Sequence, residues 1–316
     1  MPQVFICREF PGDGINRLTQ QFQVTVNRTK ADLTQTELVA QAKDAAALIP
    51  MITNIIDAEV MDSLRRLKII ANYGVGYSNI DIAAAKARAI VVTNTPGVLT
   101  EATADLTMAL LLALVRRVVE GDALVRRGEF QGFYPNFFLS PDLTGKTLGI
   151  FGLGQIGMAV ARRAVAFDLR VIYHNRHPSA AAALIPAEYV SFEELLSHSD
   201  FISVNAPLNE QTFHRFDRRA LAMMKPSAFI INTARGPIVS ESALIEALQT
   251  KRIAGAGLDV YEDEPRVPAE LVSLPNVVLL PHLGSATFEV RAKMGAMAAK
   301  NVIAFFNGQT PPNLVV

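Results

Sequence analysis

Cysteine is almost missing. Cys7 stands alone in 316 residues, so no intramolecular disulfide can form and a small stapled, secreted scaffold is excluded. A reducing, cytoplasmic setting is the expectation. Excess charge of one sign is missing too. Thirty Lys and Arg balance thirty Asp and Glu, which leaves nothing to draw the chain to nucleic acid or to an anionic membrane surface. Long hydrophobic runs are absent: the apolar stretch 108–115 is far short of the ~20 residues that a spanning helix needs, and Arg8 and Glu9 come before any stretch of signal-peptide length. No Cys/His spacing suits zinc, and no internal repeat or low-complexity tract stands out.

What is present is a long, apolar chain. Half the residues are hydrophobic against 19% charged, which fits either a large Ala-rich core or apolar surface buried between subunits. The length suits two domains. Short β-branched runs at 4–7, 24–26, 47–50, 69–71 and 91–93 alternate with helical patterns. The rhythm restarts after residue 145, at 148–151, 171–173, 201–205, 228–232, 255–259 and 277–280. Alternation of this kind predicts two doubly wound parallel α/β units in sequence. Between them, 100–117 reads as a helix apolar on nearly every face from Ala102 to Val115, which must then be covered all round. Phe130, Phe133, Tyr134, Phe137 and Phe138 follow, interrupted by Gly132 and Pro135. They suggest an arm packed on a partner subunit, or alternatively on its own domain. The tail 308–316, with Pro311 and Pro312, reads as extended.

One segment carries a strong ligand signal. Leu148-Gly149-Ile150-Phe151-Gly152-Leu153-Gly154-Gln155-Ile156-Gly157 places a buried-strand run before G-x-G-x-x-G, and a helical pattern follows from Met158. Gly152 suits a tight turn, Gly154 a close approach to pyrophosphate, and Gly157 close helix–strand packing, while the helix N-terminus offers free N–H groups. A dinucleotide site is predicted, with Leu153, Gln155 and Ile156 in the same loop. The next strand ends at Asn175-Arg176-His177, and Asn175 lies eighteen positions past Gly157. NAD sites usually carry an acid about there for the ribose 2′-OH. Asn175 removes the anion that would repel a 2′-phosphate, and Arg176 adds a cation that could pair with it. NADP(H) is therefore favoured, with NAD(H) possible.

Three more motifs follow strands: Asn232-Thr233-Ala234-Arg235-Gly236, Asp259-Val260-Tyr261-Glu262-Asp263-Glu264-Pro265 and Pro281-His282-Leu283-Gly284-Ser285. Ligands sit at the carboxyl ends of strands in open parallel sheets. A guanidinium, a carboxylate and an imidazole would share that edge with the cofactor. Such a set suits hydride transfer to a 2-oxo acid: Arg grips the substrate carboxylate, His protonates the carbonyl oxygen, and Glu keeps His charged. His174, His177, His198 and His214 have no comparable setting and receive no catalytic role.

In these motifs, and in 71–81 (ANYGVGYSNID) and 93–105 (TNTPGVLTEATAD), the sequence resembles the D-isomer-specific 2-hydroxyacid dehydrogenase family, and within it the glyoxylate/hydroxypyruvate reductases. The resemblance runs over nearly the whole chain. It implies a Rossmann cofactor domain at 99–284 inserted into a flavodoxin-like substrate domain, 1–98 with 285–316, and a site in the cleft. It implies Arg235 as carboxylate anchor, Glu264 as the residue polarising His282, and His282 as acid/base. Val75 and Gly76 would hold the substrate carboxylate through backbone N–H groups. Thr103, Pro207, Thr233, Ala234, Arg235 and Asp259 would line the cofactor, with Asp259 facing the carboxamide. Residues 51–53 would lie near the substrate side chain. A homodimer held through 101–140 is also implied.

The resemblance leaves other activities open. A D-2-hydroxyacid dehydrogenase acting on lactate or a larger acid is the nearest alternative. A nicotinamide-sensing corepressor is more remote, since the chain is charge-neutral and has no appended interaction segment.

Overall fold

The computed structural model describes residues 1–29 and 31–316. The chain divides into two compact units, Met1–Leu99 with Ser285–Val316, and Thr100–Gly284.

The first unit is built on five short strands: β1 (Gln3–Ile6), β2 (Gln23–Val26), β3 (Ala47–Ile49), β4 (Ile69–Ala71) and β5 (Val91–Thr93). All pair in parallel, in the order β2-β1-β3-β4-β5. That order is the flavodoxin-like one. The central strands are apolar throughout and fully buried, as expected when helices cover both faces of a parallel sheet. The tail runs antiparallel to β5: Leu314 bridges Thr93, and Val315 N–H donates to the Val92 carbonyl at 2.8 Å. The Phe288–Phe306 helix closes the unit, with Gly295 letting the Phe10 ring approach its backbone.

The second unit holds seven strands: β6 (Thr147–Phe151), β7 (Arg170–His174), β8 (Ala187–Tyr189), β9 (Phe201–Val204), β10 (Phe229–Asn232), β11 (Gly255–Leu258) and β12 (Val277–Leu279). Again all pairs are parallel, ordered β12-β11-β10-β9-β6-β7-β8. This is the Rossmann order with an extra edge strand, reversing direction between β6 and β9. The β8 strand is the element that sequence patterning misses. It is three residues long, AEY, and two of them are exposed.

The Thr100–Val115 helix packs on the Gln155–Ala166 helix and on β10 to β12. Leu110 fills the space that a side chain at Gly257 would need. The sequence predicts full coverage for this helix, between domains or between subunits, and within the single chain one stripe of it is uncovered. Ala102, Leu106, Ala109 and Ala113 form a helical stripe that stays partly or fully open within the chain. Apolar periodicity alone cannot tell a covered face from one left for a partner.

Candidate functional site

The glycine loop leaves β6 at Gly152, whose φ of 101° lies in the left-handed region and whose Hα faces the Ala206 backbone; a Cβ there would come within 2.5 Å of Ala206 N. At Gly157 a Cβ would fall 2.3 Å from the Gly152 carbonyl oxygen. Gly154 is different. Its φ is an ordinary −89°, it is exposed, and no protein atom lies within 4 Å of where a Cβ would stand. Nothing within the protein requires glycine there, whereas a ligand pressed on the loop would. The Gln155–Ala166 helix starts at once without a side-chain cap, so the N–H groups of Gln155, Ile156 and Gly157 are left to an anion. On this evidence the loop fits a dinucleotide pyrophosphate.

Asn175 is turned onto this loop. Its Oδ1 accepts from Leu153 N–H at 2.7 Å, which turns the oxygen to the loop and leaves the Nδ2 donors. Arg176 and His177 beside it are exposed. Tyr189, on the unforeseen β8, donates its hydroxyl to the Asn175 carbonyl at 3.2 Å. After β9, Asn205 accepts from the Ser203 hydroxyl at 2.8 Å, while its Nδ2 is buried without a partner. A buried orphan donor on the same sheet edge as the glycine loop is a second mark of a missing polar ligand. Pro207 follows on the surface.

The loop after β10 is braced from within. Asn232 donates from Nδ2 to the Arg235 carbonyl at 2.9 Å and accepts from Ala234 N–H at 3.0 Å. Thr233 is pinned to Thr107 at 2.8 Å between hydroxyls, and Arg235 Nη1 donates to the Ala234 carbonyl at 2.7 Å. Gly236 lies directly on the backbone of Tyr261, where a Cβ would approach within 1.9 Å of the carbonyl group. The Arg235 loop therefore abuts the loop carrying Glu264. Burial pushes the Arg235 guanidinium pKa down, and the charge of Glu264 works against that.

The remaining two loops are joined by Asp259. Its carboxylate oxygens accept from Leu283 N–H at 2.6 Å and Gly284 N–H at 2.8 Å, and its carbonyl accepts from His282 N–H at 3.0 Å. Burial raises the Asp259 pKa despite these bonds. His282, with a φ of 56°, is thereby held in a left-handed conformation that non-glycine residues seldom adopt. Its Nδ1 lies 2.7 Å from Glu264 Oε2. Glu264 Oε1 accepts from Tyr261 N–H at 3.1 Å. Burial would raise the Glu264 carboxyl, but the hydrogen bond and charge of His282, the Tyr261 N–H and Arg235 together hold it below the usual carboxylate range. The Tyr261 phenol, raised to about 12 by burial and by the Asp259 and Glu264 charges, donates to the Leu280 carbonyl at 2.9 Å. With Nδ1–H committed to Glu264, Nε2 is the ring nitrogen free to exchange a proton.

The chain's D-isomer-specific 2-hydroxyacid dehydrogenase, NAD binding domain, spans residues 108–284 by match to that family's model. The chain belongs to this family. A glyoxylate reductase of Thermococcus litoralis is 49% identical over 319 residues, covering 99% of this chain and 96% of its own. Among solved structures, a protein of Thermus thermophilus superposes with a TM-score of 0.93 at 46% identity, covering 99% of this chain and all of that one. An NADPH-dependent glyoxylate/hydroxypyruvate reductase from Sinorhizobium meliloti, solved with NADP and malonate, gives 0.90 at 35% identity over 100% and 97% of the two chains.

In the first unit of this dehydrogenase, Val75 and Gly76 sit in a loop whose carbonyls are all tied back. Gly74 O accepts from Thr95 N–H at 3.0 Å, Val75 O from Asn94 Nδ2 at 2.8 Å and Gly76 O from Asn72 Nδ2 at 2.9 Å. Among the described residues, the N–H groups of Val75 and Gly76 meet no acceptor. Such a loop can take an anion. Asn79 ties it to 51–54 by donating to the carbonyls of Met51 at 3.2 Å and Asn54 at 3.1 Å. No group of His, Cys, Asp and Glu able to hold a metal occurs among the described residues, and no helix there is long and apolar enough to cross a membrane.

Thr107, Asn205, Asn232, Tyr261 and the asparagines 72, 79 and 94 are site residues that sequence reasoning did not assign. Their only signal was position: each asparagine but Asn79 stands at, or one residue past, the end of a strand.

Proposed function

We propose that this dehydrogenase reduces glyoxylate and hydroxypyruvate to glycolate and D-glycerate, with NADPH favoured over NADH. The observation that carries the reading is the 2.7 Å pair of His282 and Glu264 on loops adjoining Arg235. A dihydronicotinamide dinucleotide, held by its pyrophosphate at the glycine loop, would supply the hydride.

Arg235 anchors the substrate carboxylate by charge-assisted hydrogen bonds, and in the first unit the N–H groups of Val75 and Gly76 are donors suited to a carboxylate. His282 Nε2 hands its proton to the carbonyl oxygen, where negative charge would otherwise build up. Glu264, its pKa lowered, stays anionic and orients His282 by accepting from Nδ1. Thr103, Pro207, Thr233, Ala234 and Asp259 line the cofactor in this reading, Asp259 receiving its carboxamide. The small acids named are those of the T. litoralis and S. meliloti relatives.

NADPH preference rests on Asn175, Arg176 and His177. Asn175 presents donors rather than a carboxylate, and the exposed Arg176 and His177 can meet a 2′-phosphate. Steady-state KM values for NADPH and NADH test this. NADPH should have the lower KM, and Arg176→Ala should raise it about tenfold while leaving NADH unchanged; native preference for NADH would end the inference. A homodimer is the proposed assembly, using the exposed arm and the open stripe of the Thr100–Val115 helix. A reducing, cytoplasmic compartment suits Cys7, a buried thiol whose pKa burial pushes up.

A further inference from the structure

The Thr100–Val115 helix carries two buried threonines one turn apart, Thr103 and Thr107. Thr107 Oγ1 lies 2.8 Å from the Thr103 carbonyl oxygen and 2.8 Å from Thr233 Oγ1. A hydroxyl has one proton to give. A carbonyl oxygen can only accept, so the Thr107 proton goes to Thr103, as in the common back-bond of a helical threonine. The contact with Thr233 then has one possible direction: Thr233 donates and Thr107 accepts. Only lone pairs remain on Thr233 Oγ1. Thr103 is in the same condition, because its hydroxyl donates to the Gly284 carbonyl at 2.9 Å.

The Thr103 hydroxyl is linked to Asp259 through Gly284. Gly284, whose carbonyl takes the Thr103 proton, donates its own N–H to Asp259, and Thr233 is bound through Thr107 to the same helix turn. Two threonines that by type could donate or accept are thus left as acceptors, Thr103 by the Gly284 carbonyl and Thr233 by Thr107, a residue that need not touch the ligand.

We propose that Thr107 is a positioning residue that sets the polarity of the Thr233 hydroxyl, so that this part of the cofactor site accepts hydrogen bonds and takes a primary amide by its N–H2 group. The inference rests on the reading of the second unit as a nicotinamide dinucleotide site. It specifies which end of the carboxamide Thr233 selects: an N–H donor is bound, and a carbonyl oxygen turned to the same place meets lone pairs.

Binding without acid substrate tests it. The chain has no tryptophan, so NADPH fluorescence reports binding without protein background from that residue. Thr107→Val keeps the side-chain shape and removes the hydroxyl, releasing the Thr233 proton. The Kd for NADPH should rise about five- to tenfold, the loss of one well-placed hydrogen bond. The Kd for 2′,5′-ADP, which lacks the nicotinamide half, should not change. The Kd for the reduced 3-acetylpyridine analogue, which has no amide N–H2, should match in variant and wild type, and Thr107→Ser should restore NADPH binding. Equal weakening of NADPH and 2′,5′-ADP would mark Thr107 as merely structural and overturn the proposal, as would unchanged NADPH binding. Should Thr107→Val not fold, Thr107→Ala is read in the same way, and wild-type protein that binds NADPH and the acetylpyridine analogue equally overturns the proposal without any variant. Wild-type protein that binds neither nucleotide defeats the underlying dinucleotide reading instead.

Discussion

His282 occupies a backbone conformation that its own chemistry does not favour, and neighbouring loops keep it there. Asp259 accepts N–H bonds from three successive residues, His282 to its carbonyl and Leu283 and Gly284 to its carboxylate. Asp259 therefore shapes the loop that presents the imidazole, whatever it also does for the cofactor. The identities of Arg235, Glu264 and His282 were legible in the sequence because each stands in a short motif just after a strand. The hydrogen bonds that hold them were not, since Asn232, Thr107 and Tyr261 belong to residue types common in any loop or helix, and only the fold brings them beneath the motifs. For Arg235 the expectation is kinetic. Arg235→Ala should raise the KM for glyoxylate by roughly 10- to 100-fold, the loss of a charge-assisted bond, and should lower kcat as well because the carbonyl is no longer aimed. An unchanged KM in steady-state assays would contradict the anchor role.

Among the elements, the glycine loop separates two reasons for glycine that look alike in sequence. Gly157 is fixed by protein packing, with the Gly152 carbonyl where a Cβ would go. Gly154 is free of such contacts. Gly157→Ala should therefore cost about 2 kcal/mol of stability or more, as overpacking of a rigid contact does. Gly154→Ala should cost no more than about 1 kcal/mol, the difference between glycine and alanine at a helix N-cap, yet should weaken NADPH binding at least about tenfold. Denaturant unfolding together with cofactor titration checks both. Equal stability losses, or full cofactor affinity in Gly154→Ala, would refute this division. Of the twelve strands among the described residues, all but β8 were read to within a residue or two, because a parallel sheet covered on both faces writes itself as apolar runs. The β8 strand escaped because its alternation spans only Ala187, Glu188 and Tyr189 at an open edge.

Across the whole molecule, part of the apolar surplus in the composition lies exposed. Phe133 is 88% exposed and Leu139 68%, and Val118, Val119 and Val125 on the Val118–Arg126 helix are exposed too. Phe138 is held back by the Arg117 guanidinium 4.1 Å above its ring, so the arm is only partly packed on its own chain. Exposed aromatic surface of this kind usually marks an interface. Sedimentation equilibrium at micromolar concentration should give twice the 34.3 kDa chain mass, and the double variant Phe133→Asp, Leu139→Asp should give the single chain. A wild-type monomer would remove the dimer. Composition alone could not decide this, because the same apolar count serves a core or an interface.

Proton transfer from His282 is the centre of the account, and the pH dependence of glyoxylate reduction tests it most directly. Burial favours the neutral acid at Glu264, but His282, Tyr261 and Arg235 outweigh it and leave the pKa lowered, so the carboxylate remains ionised as pH falls into the acid range. Its contribution to stability is complete above its unfolded pKa and disappears only as pH falls through the depressed one. Above that, kcat/KM for reduction should be level while the imidazole is protonated and then fall about tenfold per pH unit as it loses its proton, with hydroxy-acid oxidation rising over the same interval. In Glu264→Gln kcat for reduction should fall at least about tenfold, because no carboxylate orients the imidazole. A profile for reduction that stays flat as pH rises, or a Glu264→Gln variant with full kcat, would contradict the account.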